Sequence, residues 1–242
     1  MLHPFSEEKG HLMPPNILFL FTDQQARDAM SAYGNPDLHT PSMDALARRG
    51  VRFQHAYCTS PVCSPARASL VTGMLPHAHG VNTNNLSISD DVPTMGEIFR
   101  AAGYETIWAG KWHVPKGFPT APDEVRGYRT LVVSRLGRFG LGVGSDDRVT
   151  EQAVDFLRRD HRQPFLLTVS LQNPHDICHW IMEQYREVLG VFNRPGRTPA
   201  LPANFDIIAD EPEFIQACRE AITSARRTGG RRPGRGRTGP PI

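Results

Sequence analysis

The amino-acid sequence predicts an α/β fold with a mostly parallel sheet flanked by helices, and two observations support this prediction. Strand-like apolar segments alternate along the chain with helical segments, which is the order typical of a parallel sheet. Polar clusters also follow three of the strand-like segments, namely "TDQQ", "GKWH" and "NPHD". Because the carboxyl ends of strands meet at one edge of an open parallel sheet, these clusters can converge on one site.

Four segments are predicted to be strands. "NILFLF" and "PFLLTVSL" are continuous apolar runs, which indicate strands buried within a parallel sheet. "YETIWAG" is a strand that leads into "GKWH", and "VRFQHAY" alternates between apolar and polar residues as a strand does. In chain order the predicted strands are 16–21, 51–57, 104–110 and 164–171.

Four further segments are predicted to be helices, and local signals mark the ends of several. Thr40 is a candidate N-cap before Pro41, and Gly50 follows as a stop. Thr94 and Glu97 have the spacing of a capping box. The predicted helices are 40–50, 65–73, 94–103 and 147–160.

Composition separates the ends of the chain from its body. The chain has 242 residues, 39% of them hydrophobic, and a net charge of +2, an ordinary globular composition. Residues 225–242 have no apolar periodicity and hold six arginines and no acid. We therefore expect an extension over 1–14, an α/β domain over 15–224 and a disordered basic tail over 225–242.

Two interpretations of the basic tail stay open. It is either a solvated arm that touches nucleic acid or acidic surfaces, or a translated frameshift, which the abrupt change in composition favours. The tail has no interleaved aromatic residues, so specific nucleic-acid recognition is not expected. The longest apolar run, "ILFLF", is too short to span a membrane, and the first 15 residues do not resemble a secretory signal. The sequence therefore predicts a cytoplasmic protein, unless the assigned start conceals a signal.

The segment "CSPAR" places Cys63, Pro65 and Arg67 at the spacing C-x-P-x-R, directly before a predicted helix. A helix N-terminus and a cation are the environment in which a cysteine becomes chemically active. The arginine follows the cysteine at C-x3-R, whereas a thiol phosphatase loop uses C-x5-R, so that class is not favoured. The other cysteines considered, Cys58 and Cys178, are expected to be packing thiols, and His77 and His79 of "LPHAHG" are expected to be loop residues that bind no metal.

These residues resemble the signature of the sulfatase family, in which the cysteine becomes formylglycine. "NILFLFTDQQ", "SPVCSPARASLVTGMLPHAHGV", "GYETIWAGKWHV" and "NPHD" occur in the order that the family shows, so the resemblance covers roughly residues 15–218. It implies an alkaline-phosphatase-like fold and a hydrolase of carbohydrate or aryl sulfate esters. A formylglycine-generating enzyme and a small-molecule or glycan sulfate ester would be its partners.

The resemblance also implies roles for individual residues. In the hydrate of formylglycine from Cys63, one geminal oxygen would attack sulfur and displace the alcohol. The other oxygen would then lose its proton and expel sulfate, which regenerates the aldehyde. Arg67 would stabilise the ionised hydrate. Lys111 and His113 would clamp the sulfate, and His175 would clamp it or protonate the leaving oxygen. Asn84 would contact sulfate or substrate.

The resemblance places a divalent metal at the end of the first strand. Asp23 and Gln24 stand where the family has two of its ligands, and oxygen ligands suit Ca²⁺ best, with Mg²⁺ or Mn²⁺ as alternatives. The family pattern continues with an Asp-His or Asp-Asn pair and a smaller C-terminal subdomain. No residues after 176 match that pair, so we expect half a metal site and an uncovered sheet edge.

Three functional hypotheses follow from the sequence. The first is a truncated sulfatase-family hydrolase that is weak or inactive alone. The second is a phosphonate or phosphate ester hydrolase of the same superfamily, with the same truncation. The third is a non-catalytic binding remnant that uses its basic tail.

Overall fold

The computed structural model describes residues 14–114, 124–133, 143–176, 211–218 and 220. Three predictions fall outside these residues: the terminal extension except for Pro14, the basic tail, and the packing role of Cys178. The chain divides into two compact units, Met1–Arg194 and Pro195–Ile242. The first unit contains the sheet, and in the second unit residues 213–218 are helical. In the described part of the chain, no helix has the length and apolar character needed to cross a membrane.

Within the described residues, the sheet of the first unit has five strands in the order β1-β5-β2-β4-β3. Its strands are β1 (Ile17–Asp23), β2 (Glu105–Gly110), β3 (Glu124–Val125), β4 (Tyr128–Val133) and β5 (Phe165–Pro174). Four strands run parallel, and only the two-residue β3 pairs antiparallel, with β4. The prediction of a mostly parallel sheet is therefore confirmed.

Five α-helices accompany the sheet in the part of the first unit that the structure describes. They are α1 (Pro41–Arg49), α2 (Cys63–Thr72), α3 (Pro76–His79), α4 (Met95–Ala101) and α5 (Val143–Leu157). The predicted capping box is present at α4, where the Thr94 side chain accepts from the Glu97 backbone and the Glu97 carboxylate accepts from the Thr94 backbone. Helix α5 begins at Val143, four residues before the predicted start, and ends at Leu157 rather than at residue 160.

Two apolar layers cover the two faces of the sheet. On one face Ala68 and Val71 of α2 pack against Trp108 and Leu166 of the strands. On the other face Val149, Ala153 and Phe156 of α5 pack against a group of strand residues, Ile107, Ala109, Phe165, Leu167 and Val169. The sheet is thus the middle layer of three, and α2 lies directly over the strands that carry the polar clusters.

The structure corrects the prediction of a strand over 51–57, because no strand forms there. The apolar members of the alternating pattern are exposed, with Val51 at 84% and Tyr57 at 88%. The backbone carbonyls of Phe53 and Gln54 accept hydrogen bonds from the side chains of Tyr33 and Arg27. An alternating pattern predicts a strand only where a neighbouring strand and a core are available to it, and this segment has neither among the described residues.

The structure also corrects two further details. Thr40 precedes α1 but makes no side-chain bond to the helix N-terminus, because its hydroxyl bonds Ser31 instead. Strand β1 lies at a sheet edge and is not fully buried, since Leu18 and Leu20 are 49% and 50% exposed. The expected uncovered apolar surface therefore lies on β1.

Candidate active site

The carboxyl end of β1 supplies a buried carboxylate. Asp23 is the last residue of the strand, and its side chain is 11% exposed. It forms ion pairs with Lys111 and Arg67. Burial alone would raise the pKa of Asp23, but the hydrogen bond from Lys111 and the positive charges of Arg67 and Lys111 outweigh burial and lower this pKa. Asp23 is therefore an ionised group at neutral pH. Gln24 follows it with an exposed side chain and a left-handed backbone, at φ 63°.

Arg67 ties helix α2 to three strand ends. Its guanidinium is buried and donates to the Asp23 carboxylate at 3.1 Å, to the Lys111 carbonyl at 2.7 Å and to the Ser170 hydroxyl at 3.0 Å. It also lies over the Phe21 ring, 5.3 Å from the centroid. Planar guanidinium groups suit such multiple fixed contacts. Arg67 therefore fixes α2 against the ends of β1, β2 and β5.

Lys111 brings a second buried cation to the same place. It is 0% exposed, and its ammonium lies 3.8 Å from the Cys63 sulfur as well as against Asp23. The preceding Gly110 has φ 100°, and a Cβ there would overlap the Ser170 carbonyl oxygen. Only glycine permits this turn, so the backbone of β2 delivers Lys111 to the site through Gly110.

Cys63 is the first residue of α2 and is partly exposed. The preceding Val62 provides no side-chain cap, yet the first turn of a helix leaves free backbone N–H groups. Asn84 fills this role from another segment, since its Oδ1 accepts from the Ser64 N–H at 2.9 Å. The Ser64 hydroxyl in turn donates to the His113 carbonyl at 2.7 Å. The end of α2 that carries Cys63 is therefore held by two neighbouring segments.

His113 is held in an unusual conformation beside these cations. Its φ is 52°, and its buried Nδ1 has no hydrogen-bond partner in the described part of the chain. Burial, followed by the charges of Lys111 and Arg67, lowers the pKa of His113 to about 4. The ring is therefore neutral at neutral pH, with one nitrogen available to a ligand.

His175 follows the end of β5. In the register of the sheet, Asp23 pairs with Pro174, so His175 stands next to the carboxyl end of β1. Its Nδ1 bonds the Asp176 carboxylate at 3.1 Å. The charge of His175 contributes to the lowered pKa of His113, so the two histidines belong to one electrostatic environment.

The structure thus brings Asp23, Cys63, Arg67 and Lys111 into direct contact, with His113 and His175 beside them. The amide oxygen of Asn84 is engaged by α2, and Gln24 lies at the exposed end of β1. The sequence prediction that the three polar clusters converge at the strand ends is confirmed by the ion pair between Asp23 and Lys111 and by the pairing of Asp23 with Pro174.

Sequence reasoning missed several supporting residues. Asp146 of α5 accepts the backbone N–H groups of Gln172 and Asn173 at 2.7 and 2.8 Å and so anchors the end of β5. Ser170 binds Arg67, and no local pattern could have indicated this bond between residues 103 positions apart. The expectation that His79 is a loop residue is wrong, because it ends α3 and is 3% exposed. Cys58 is not a packing thiol, since it is exposed.

The described residues supply only part of a divalent metal site. Asp23 and Gln24 have oxygen ligands of the kind that hard cations prefer, but Ca²⁺ takes about six to eight. The part of the chain that the structure describes contains no cluster of three or more His, Cys, Asp or Glu side chains able to hold a metal. The Asp23 carboxylate is neutralised by two cations instead. By themselves, then, these residues do not fit a complete metal centre.

Comparison with known proteins identifies the family to which this chain belongs. The sulfatase family model matches residues 15–210, and the chain therefore belongs to the sulfatase family. Its fold is alkaline-phosphatase-like. A 2-O GAG sulfatase of solved structure has a TM-score of 0.62 and 31% identity over 80% of this chain and 42% of its own. A phosphonate monoester hydrolase of Agrobacterium radiobacter has a TM-score of 0.55 at 19% identity, which shows a common fold alone.

Curated relatives narrow the comparison further. An uncharacterised sulfatase of Escherichia coli, YidJ, is 36% identical over 87% of this chain and 47% of its own length. An N-acetylglucosamine-6-O-sulfatase of Bacteroides thetaiotaomicron is 32% identical over 77% of this chain and 34% of its own. An ulvan-active sulfatase of Formosa agariphila is 42% identical over 70% of this chain and 37% of its own length. The chain thus spans half or less of the length of these relatives. Sulfatases of this family use a divalent metal and formylglycine.

Proposed function

We propose that this chain carries the formylglycine half of a sulfatase centre and hydrolyses sulfate esters, with carbohydrate sulfates preferred over aryl sulfates. The observation that supports this most is the position of Cys63 at the start of α2, with the Lys111 ammonium 3.8 Å from its sulfur. Relatives are named for sulfates of N-acetylglucosamine and of ulvan, and one solved neighbour is in complex with its substrate, D-glucosamine-2-N,6-O-disulfate. These names support a glycan sulfate as substrate.

The surroundings of Cys63 fit a modified cysteine. Its side chain is partly exposed, whereas the neighbouring Ser64 and Arg67 of the same helix are buried, so a substrate can approach Cys63 at the start of α2. Formylglycine formed there would supply a hydrated aldehyde as the nucleophile. A formylglycine-generating enzyme is the proposed partner that makes it.

Charge favours an anionic substrate at this place. Two buried cations, Lys111 and Arg67, face the single carboxylate of Asp23, which leaves one excess positive charge. The N-terminus of α2 adds the positive end of its dipole at Cys63. A sulfate group would offset this excess, and Lys111 is the cation nearest to the position where it would bind.

The histidines can manage protons at the ester oxygens. The Asp176 carboxylate accepts from Nδ1 of His175, which leaves Nε2 as the atom that holds or releases a proton toward the leaving oxygen. Neutral His113 offers its unpartnered Nδ1 to the sulfate or the nucleophile. Asn84 has its oxygen engaged by Ser64, so its amide N–H₂ is the group that would contact substrate.

The proposed metal is Ca²⁺, with Mg²⁺ or Mn²⁺ as alternatives. Asp23 and Gln24 would be two of its ligands, and the others would come from residues outside those described. When bound, such a cation would polarise the sulfate oxygens. The cytoplasmic location and the domain boundaries at 14, 224 and 225 stay predictions.

The experiment is to produce the full chain together with a formylglycine-generating enzyme and to measure sulfate release. Substrates are N-acetylglucosamine 6-sulfate, an aryl sulfate and a phosphonate monoester. We expect slow release from the sulfates that Cys63→Ala abolishes, while the matched variant Cys58→Ala, at an exposed cysteine, retains it. Faster cleavage of the phosphonate would favour the alternative hydrolase. An aldehyde at residue 63 without any sulfate release would overturn the proposal for this chain.

A further inference from the structure

His79 is a buried histidine that none of the roles proposed above uses. It ends the short helix α3 and is 3% exposed. Its Nε2 lies 3.0 Å from the Ser69 hydroxyl of α2, and its Nδ1 accepts from the Val81 N–H at 3.1 Å. One ring therefore links the helix that carries Cys63 to the turn that follows α3.

The backbone bond fixes the protonation of this ring. A backbone N–H only donates, so Nδ1 of His79 carries a lone pair and the proton of the neutral ring is on Nε2. That Nε2–H donates to the Ser69 hydroxyl. Burial, which is the largest cause, lowers the pKa of His79, in agreement with a neutral ring. Because Nε2 is protonated, His79 cannot act as a base toward Ser69, and the pair is not a nucleophile and base.

The chain beyond His79 returns to the same helix. Gly80 makes a left-handed turn at φ 76°, and Val81 is fully buried in the core. Asn84 then caps α2 by accepting from the Ser64 N–H. Residues 79–84, which we call the α2 clamp, thus bind α2 at Ser64 and at Ser69.

The two attachment points restrain α2 in rotation. The Ser64 bond holds a backbone N–H at the start of α2, and the Ser69 bond holds a side chain on the flank of the helix, five residues or about 7.5 Å further along its axis. Together these two bonds resist turning of the helix about its axis, which the bond at the helix start alone would not. Cys63 and Arg67 lie within or next to the clamped stretch, and their contacts to Lys111 and Asp23 depend on that rotation.

We propose that His79 is a positioning residue, which through Ser69 and Val81 sets the rotation of α2 and thereby places Cys63 and Arg67 in the site. The inference rests on the proposed function for its catalytic meaning. It requires no contact between His79 and substrate. It predicts that loss of the ring loosens the capped start of α2, at Ser64, more than it loosens the sheet.

The test compares His79→Ala with the matched control His77→Ala, an exposed histidine of the same helix. The first readout is residue-resolved hydrogen exchange of the Ser64 amide, with the Leu167 amide of β5 as internal reference. We expect Ser64 to exchange about tenfold faster in His79→Ala, relative to Leu167, and to be unchanged in His77→Ala. Equal acceleration of both amides, or none, would show a merely structural histidine and overturn the proposal.

Two conservative variants dissect the ring. His79→Gln can retain a donor toward Ser69, and His79→Asn can retain an acceptor for Val81. Each is expected to give Ser64 exchange between that of His77→Ala and that of His79→Ala. If His79→Ala does not fold, the Ser64 amide should still exchange faster in both conservative variants than in His77→Ala. Exchange at the same rate as in this control would contradict the proposal.

A second readout separates this proposal from the proposed function. The alkylation rate of the Cys63 thiol, followed by mass spectrometry on the unmodified chain, needs no turnover and should change in His79→Ala but not in His77→Ala. In the formylglycine-containing chain, kcat should fall with little change in KM, because positioning acts on the nucleophile. Absent sulfate release in every variant would sink the function alone, whereas unaltered Ser64 exchange and alkylation would sink the positioning role alone.

Discussion

Strands β1 and β5 are neighbours in one sheet and have similar apolar sequences, yet their environments differ. Leu167 of β5 is 0% exposed, whereas Leu18, its partner in the register of the two strands, is 49% exposed. Helix α5 covers β5 on that face, and nothing among the described residues covers β1 to the same degree. A continuous apolar run therefore indicates that the side chains of a strand are suited to burial. How far they are buried depends on the layers that pack against the strand.

The largest expected effect comes from cutting the link between the ends of these two strands. Arg67→Ala removes the donor that joins Asp23 of β1 to Ser170 of β5. It should lower the free energy of unfolding by about 4 kcal/mol, because it breaks a buried ion pair and removes the donor to the Lys111 carbonyl and the Ser170 hydroxyl. Urea unfolding measures this. Arg129→Ala, which removes an exposed pair with Glu105, is the control and should cost about 1 kcal/mol or less; similar costs for the two would refute a special role for Arg67.

A matched pair of leucines tests the comparison directly. Leu167→Ala should cost about 3 kcal/mol, because it removes buried methyl groups and leaves a cavity between β5 and α5. Leu18→Ala, at the same level of the sheet, should cost about 1 kcal/mol or less, since half of the side chain is already in water. The same unfolding experiment measures both. Equal costs would mean that another layer covers β1 in solution.

A further expected effect is the pH dependence of stability at the strand ends. The pKa of His113 is about 4 in the folded chain and about 6.5 in the unfolded chain. The unfolded state therefore takes up the proton first, so stability should be full above pH 6.5 and should fall as the pH drops toward 4. Protonation would add a third positive charge opposite Asp23. His113→Gln should flatten this part of the stability curve, and an unchanged slope would assign the dependence to other groups.

Local sequence signals predicted the elements whose determinants are local. The capping box of Thr94 and Glu97 is present. The helix predicted over 65–73 is also present as α2, and the left-handed Gly73 follows its last residue. The prediction of a strand over 51–57 was wrong because an alternating apolar and polar pattern forms a strand only beside a partner strand. The edge hairpin of β3 and β4 was missed because β3 has two residues and too little pattern to recognise.

The candidate site divides in the same manner. Parallel topology sufficed to predict that Asp23 and Lys111 meet, since both follow strand ends. It could not predict that Asn84 caps α2 in place of Val62, or that His79 binds Ser69. These bonds depend on how α3 packs on α2, which is a property of the assembled core.

The contacts of Arg67 also determine when, during synthesis of the chain, the site around Cys63 can form. Its partner Ser170 lies 103 residues further along the chain, so the pocket around Cys63 cannot close until β5 has been made. At roughly 5–20 residues per second, that interval lasts about 5–20 s. During this time Arg67 of the CSPAR segment lacks its hydrogen bond to Ser170. Any modification of Cys63 that requires an open chain therefore has to precede the formation of this long-range bond.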